Sequence, residues 1–206
     1  MTDRAPTYHH GNLRAALLDE AAAMIAEGGA ASVTMRALGR RLGVSRAAPY
    51  RHFEDKTALL VAVARAGFSR LNDRVKGVGA GAPRSSVERL RRMGEEYVRF
   101  ALENPAHYRL MYGREALTRQ DLPELREAAN ALFEQLVDAI RSYQRSGAIK
   151  RQDPRIQAYT AWSAVHGLAS LLVDGQIQAT DDIDRLIRQT TRTVLEGMRS
   201  GRRTRS

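Results

Sequence analysis

Apolar residues in this chain recur at intervals of three, four and seven almost from end to end, and strict alternation is missing. A backbone under that pattern buries itself as amphipathic helices, not as strands. Leu17, Leu18, Ala21, Met24 and Ile25 predict a first helix that stops at Gly28-Gly29. Thr34 is placed to cap a short second helix bearing Met35, Leu38 and Leu42, which Gly43 ends. Ser45 is placed to cap a third, reaching about Phe53, and Asp55 a long fourth striped by Leu60, Ala64, Phe68, Leu71 and Val75. The run from Gly77 to Pro83 reads as a linker. Beyond it, helices are expected from about Ser86 to Glu103 and after Pro105. Another should run from about Leu122 to Arg145, with Leu132, Leu136, Ile140 and Tyr143 on one face. Asp153-Pro154, a cap followed by a proline at the first helical position, starts a helix to Asp174 that is apolar round most of its girth. Ile183, Ile187, Thr190 and Val194 stripe the last. The fold class is all-α.

At 206 residues the chain suits one large or two small domains. It has no cysteine, which excludes disulfides, thiolate zinc sites and cysteine nucleophiles. No apolar run approaches the ~20 residues of a spanning helix, and Met1 to Tyr8 lacks the apolar core of a signal peptide, so no membrane partner and a cytoplasmic location are expected. Enzyme signatures are missing as well. There is no His-Glu-x-x-His, no Glu-x-x-His pair, no phosphate loop and no Gly-x-Ser-x-Gly, and Gly77-x-Gly79-x-Gly81 has the wrong spacing for a dinucleotide loop. Neighbouring carboxylates such as Glu95-Glu96 and Asp181-Asp182 point apart on a helix. No catalytic residue, metal site or cofactor is expected.

The net charge of +10 invites a nucleic-acid partner, but its bulk distribution does not locate the surface: residues 1–56 carry eight bases and six acids. A short window is more informative. Between Thr34 and Phe53 stand Arg36, Arg40, Arg41, Arg46 and Arg51 with no acid among them. Two short amphipathic helices joined by Leu42-Gly43-Val44-Ser45 match a helix-turn-helix, whose second helix presents its early residues to base edges in the major groove. Arg46 is the long donor nearest that helix start and suits a bidentate contact to guanine. Small Ala47 and Ala48 allow close approach, while Tyr50, His52 and Lys56 suit phosphate, Lys56 lying in the first turn of the next helix.

Leu38-Gly39-Arg40-Arg41-Leu42-Gly43-Val44-Ser45, Tyr50-Arg51-His52-Phe53 and Lys56-x-x-Leu59-Leu60 together resemble the TetR family of bacterial repressors. Tyr8-His9-His10-Gly11-Asn12-Leu13-Arg14 and Ala161-Trp162-Ser163-Ala164-Val165-His166-Gly167-Leu168 resemble one subgroup of it. The resemblance implies a three-helix DNA-binding domain over 9–56, with its helix-turn-helix at about 34–53, and a connecting helix over 57–77. It further implies a helical effector-binding and dimerisation domain over 86–199 and a basic tail over 200–206. It places Thr34 and Arg36 at phosphate, and Ser45, Arg46, Ala47, Tyr50 and His52 on the recognition helix, with Tyr50 and Lys56 gripping the backbone. It also implies a homodimer paired through helices at about 154–174 and 180–199, bound to double-stranded operator DNA and released by a small, often apolar or aromatic, effector. Two residues depart from the family pattern. Pro49 stands where leucine or isoleucine is commoner, which removes an early helical hydrogen bond and predicts a later or tighter recognition helix, and Gly39 replaces a common alanine.

Tyr97, Phe100, Tyr108, Met111, Tyr112, Phe133, Trp162 and His166 are the side chains best suited to line an effector cavity, although the same residues would also make an ordinary core. A constitutive DNA-binding protein, its C-terminal helices serving as a dimer scaffold, is the rival reading.

Overall fold

The computed structural model describes residues 13–78, 87–113, 122–177 and 182–199. The leader with His9 and His10, the linker from Gly79 to Pro83 and the basic tail from Ser200 lie outside them. The described residues form eight α-helices and no strand. These are α1 (Leu13–Ser32), α2 (Met35–Arg41), α3 (Lys56–Gly77), α4 (Val87–Glu103), α5 (Pro105–Tyr112), α6 (Pro123–Arg145), α7 (Pro154–Val173) and α8 (Ile183–Met198), with a short 3-10 turn at Pro49–Arg51. They make two compact units. One is drawn from Met1–Gly67 and Ala106–Leu125, the other from Phe68–Pro105 and Arg126–Ser206, so the division falls inside α3.

In the first unit, α1 leaves helical geometry at Gly28 and Gly29, where the sequence predicts its end, and then adds one more turn. Leu17, Ala21, Met24 and Ile25 are buried along it, whereas Leu18 is half-buried. Thr34 caps α2 by accepting the Ala37 N–H at 3.1 Å, a bond worth about 1 kcal/mol. The turn after α2 depends on Gly43, whose φ of 66° lets the Val44 N–H reach back to the Gly39 carbonyl at 2.9 Å. A Cβ at Gly43 would oppose that left-handed backbone. Asp55 caps α3 through the Ala58 N–H at 2.7 Å.

In the second unit, α4, α7 and α8 pack on one another. They lie close at Gly94 of α4: a Cβ there would stand 3.0 Å from Thr191 Cγ2 and 3.3 Å from Val165 Cγ1. Asp153 caps α7 as expected, accepting from the N–H groups of Arg155 (2.8 Å) and Ile156 (3.4 Å). The buried stripe of α8 differs from the sequence expectation. It runs through Ile187, Thr191, Leu195 and Met198, while Ile183, Thr190 and Val194 are half-buried. The expected stripe takes Thr190 where the helix buries its neighbour Thr191. Its hydroxyl bonds the Ile187 carbonyl at 3.0 Å, which removes the cost of burial. Past the end of α6, Lys150 N–H donates to the Met198 carbonyl at 2.8 Å and ties the α6–α7 turn to the end of α8.

Candidate nucleic-acid interface

The segment after Gly43 is helical in sense but tighter than an α-helix. Residues 46–48 form a turn that runs into the 3-10 turn. The expected Ser45 cap is absent: Ala48 precedes the 3-10 turn without a side-chain cap, and it is the Ser45 backbone carbonyl that accepts, from Ala48 N–H at 3.0 Å. Ala48, Pro49 and Phe53 are buried and anchor the segment. Ser45, Arg46, Ala47, Arg51 and His52 are exposed, and Tyr50 keeps 57% of its surface open. Thr34 and Arg36 are exposed as well. Lys56 is half-buried and its ammonium donates to the Ala31 carbonyl at 3.3 Å, which ties α3 to the end of α1 and leaves two of three donors for other partners.

The basic window is smaller than its five arginines imply. Arg41 reaches across to α1, where Glu20 lies at 2.5 Å and Glu27 at 2.7 Å. The Glu27 hydrogen bond holds Arg41 well above the usual guanidinium range, and the same bond holds the Glu27 carboxyl below its ordinary value. Arg41 is therefore a strut between α1 and α2. Near the reading segment stands Arg14, to which sequence reasoning gave no role. Its guanidinium sits over the buried Phe53 ring at 5.3 Å from the centroid, at the end of the reading segment. Only the aromatic residue that closes the segment hints at this contact, and its cationic partner is far off in sequence.

The eight effector candidates do not form one cluster. Tyr108, Met111 and Tyr112 belong to α5 and the first unit, where the rings of Tyr108 and Tyr112 lie 5.2 Å apart. Phe100 is fully buried in α4, with the Arg74 guanidinium 6.0 Å from its ring. Tyr97, Phe133, Trp162 and His166 do come together. Trp162 Nε1–H donates to the Tyr97 hydroxyl at 3.3 Å, and that oxygen is 2.9 Å from His166 Nδ1. Trp162 rings lie 6.0 Å from Phe133 and 5.2 Å from His166. Indole can only donate, so the Tyr97 oxygen is the acceptor in its bond with Trp162. An open groove of about 450 Å³ lies elsewhere in this unit, lined by Arg99, Leu102, Glu103, Asp182, Ile183, Asp184 and Ile187, and none of the eight candidates borders it. No group of three His, Asp or Glu side chains among the described residues could hold a metal ion.

A helix-turn-helix with an exposed cationic reading segment, carried with a helical second unit, defines a DNA-binding regulator of transcription. Residues 17–63 match the model of bacterial regulatory proteins of the tetR family, and residues 90–194 match the tetracyclin repressor-like C-terminal domain. The chain belongs to the TetR family of transcriptional regulators, which are DNA-binding proteins and not enzymes. It is 29% identical over 126 residues to the nucleoid occlusion factor SlmA of Vibrio vulnificus, an alignment covering 59% of this chain and 61% of that protein. The chain thus spans less than two thirds of the length of the curated relatives it matches first. A solved protein of unknown function from Rhodococcus sp. RHA1 superposes with a TM-score of 0.78 at 29% identity, over 95% of this chain and all of that one. A TetR/AcrR family regulator from Thermobifida fusca has the same fold, with a TM-score of 0.72 at 21% identity, covering 92% of this chain and all of the other.

Proposed function

We propose that this protein is a transcriptional repressor in the cytoplasm that binds a near-palindromic operator as a homodimer and releases it when a small apolar or aromatic molecule enters the C-terminal helices. The observation that carries the reading is the contrast within residues 45–53. The residues that pack are buried, while Arg46, Ala47, Tyr50, Arg51 and His52 face outward with no acid among them. Arg46 reads a base edge and Tyr50, His52, Lys56 and Arg14 hold phosphates. Support for a homodimer comes from α7, which leaves Ile156 64%, Tyr159 49% and Leu171 46% exposed along its length, apolar surface a second copy would cover. No helix among the described residues is long and apolar enough to cross a membrane. The aromatic cluster of Tyr97, Phe133, Trp162 and His166 is the best-suited effector contact. The scaffold reading draws on a different observation, the complete burial of Phe100 in α4.

Genome-wide binding-site selection with the purified protein tests the proposal. The expected product is an inverted repeat whose half-sites are about one turn, ~34–36 Å, apart. Failure to enrich any repeat, or a monomer bound to a single half-site, would overturn it. Replacing Arg46 with alanine should relax preference at one base position by ~1–3 kcal/mol.

A further inference from the structure

The reading segment holds a proline where an α-helix would need a donor. Pro49 is buried, and its ring lies on α2: Cγ and Cδ stand 3.5 and 3.7 Å from the place a Cβ on Gly39 would occupy. Without an N–H, residue 49 cannot bond the Ser45 carbonyl, and that oxygen takes the Ala48 N–H at 3.0 Å, one residue sooner. The following bonds also span three residues, from Arg51 to Ala48 at 3.2 Å and from His52 to Pro49 at 3.0 Å. Phe53 N–H, 3.0 Å from the same Pro49 carbonyl, returns to four-residue spacing as the segment ends. The residue before a proline ordinarily turns to extended backbone, yet Ala48 is helical (φ −62°, ψ −44°) and buried, so packing holds the turn closed.

We propose that Pro49 is a specificity-determining positioning residue: it sets the spacing between Arg46 and the Tyr50–His52 group, and with it which bases and phosphates of a half-site they meet. Four residues turn through about 400° in an α-helix and about 480° in a 3-10 helix, and they advance about 6 Å and about 8 Å respectively. Tyr50 is carried up to about 80° round and up to about 2 Å along, relative to Arg46, from its place on an unbroken α-helix. Base pairs are about 3.4 Å apart, so the displacement reaches up to about half a step. Hydrogen bonds to base edges fail over a few tenths of an ångström, and a shift of that size changes which contacts can be made together. The inference rests on the DNA-reading role of residues 45–53 and on no property of the effector or the dimer.

Selection from random duplexes with the full-length protein and its Pro49→Ala and Pro49→Leu variants tests it. Alanine restores the missing donor, and leucine restores it while refilling the buried volume, so the pair separates register from packing. Both variants should keep the parent's helix content and low-salt affinity for non-specific DNA. Both should change the preferred base at one or more half-site positions by about tenfold, the scale of a misplaced bidentate contact. Gly39→Ala, whose new methyl meets Pro49 and Ser45 at ordinary contact distance, should leave the consensus unchanged. An identical consensus from a folded Pro49 variant, with affinity uniformly lower or unaltered, would reduce Pro49 to packing and overturn the proposal. In the Pro49→Ala background, an added Arg46→Ala should remove discrimination at a different base pair from the one it affects in the parent. Loss at the same base pair in both backgrounds would count against it equally.

Discussion

The reading segment and the aromatic cluster of the second unit are assembled in opposite ways. In the reader, the backbone is constrained by the Thr34 cap, the left-handed Gly43 and the ring of Pro49, and the side chains proposed to meet DNA are exposed. In the cluster, the backbone is plain α-helix and the polar side chains bond one another: Trp162 to Tyr97, and Tyr97 with His166. DNA can therefore engage donors that make few bonds within the chain, whereas a ligand entering the cluster must replace a hydrogen bond that already exists. The effector proposed for this region would need an acceptor or donor of its own besides apolar surface.

Substitutions can break or sharpen that contrast. The largest effect belongs to Phe100→Ala. A fully buried ring should cost ~3–5 kcal/mol on removal, read from urea unfolding. A loss under about 1 kcal/mol would mean that the ring faces open space, and the contrast would fail. Next comes Tyr97→Phe, which withdraws the hydroxyl shared by Trp162 and His166. It should lower stability by roughly 1–3 kcal/mol while operator affinity measured without effector stays at the parent's value. Unchanged stability would show that the cluster's bonds are replaceable by water.

Smaller still is Arg14→Ala. Titrating operator binding against salt should show a log–log slope shallower by about 0.9, one phosphate contact, with the consensus intact. An unaltered slope would leave Arg14 as a lid on Phe53 alone. The smallest effect is that of acid. Glu27 in the first unit, and Glu88 and Asp184 in the second, have carboxyl groups held below their ordinary values of 4.5, 4.5 and 3.8 by Arg41, Arg91 and Arg99. A carboxyl depressed by folding stabilises above its unfolded value and stops doing so as pH falls through its folded one. Stability should be flat from pH 8 down to about 5 on account of these pairs and decline in both units below about 4.5. Glu27→Gln should flatten the decline for the first unit, and an equally steep decline in that variant would show that the strut to Arg41 carries no linkage.

The legible part of the fold is the part decided within a turn or two of chain. The caps at Thr34, Asp55 and Asp153, the stop at Gly28-Gly29 and the turn at Gly43 stand where the sequence puts them, because each depends on the backbone of residues no more than five apart. The reading segment was legible as well: Arg46 and Tyr50 are exposed as a helix-turn-helix requires, and Pro49 announced a tighter turn. The cap at Ser45 and the buried stripe of α8 were not, since the Ala48 N–H that a Ser45 cap would use goes to the Ser45 backbone carbonyl instead, and α8 buries Thr191 where the expected stripe takes Thr190.

From sequence alone come the helical class, the order of the helices and the presence of a DNA-reading turn, since periodicity, capping and φ preferences act locally along the chain. The tertiary structure alone decided the loss of Arg41 to Glu20 and Glu27, the gain of Arg14 over Phe53, the bond between Tyr97 and His166, and the placing of α5 with the first unit. Those pairings join residues far apart in the chain. A partner at that distance is chosen by packing, for which no local rule has a term.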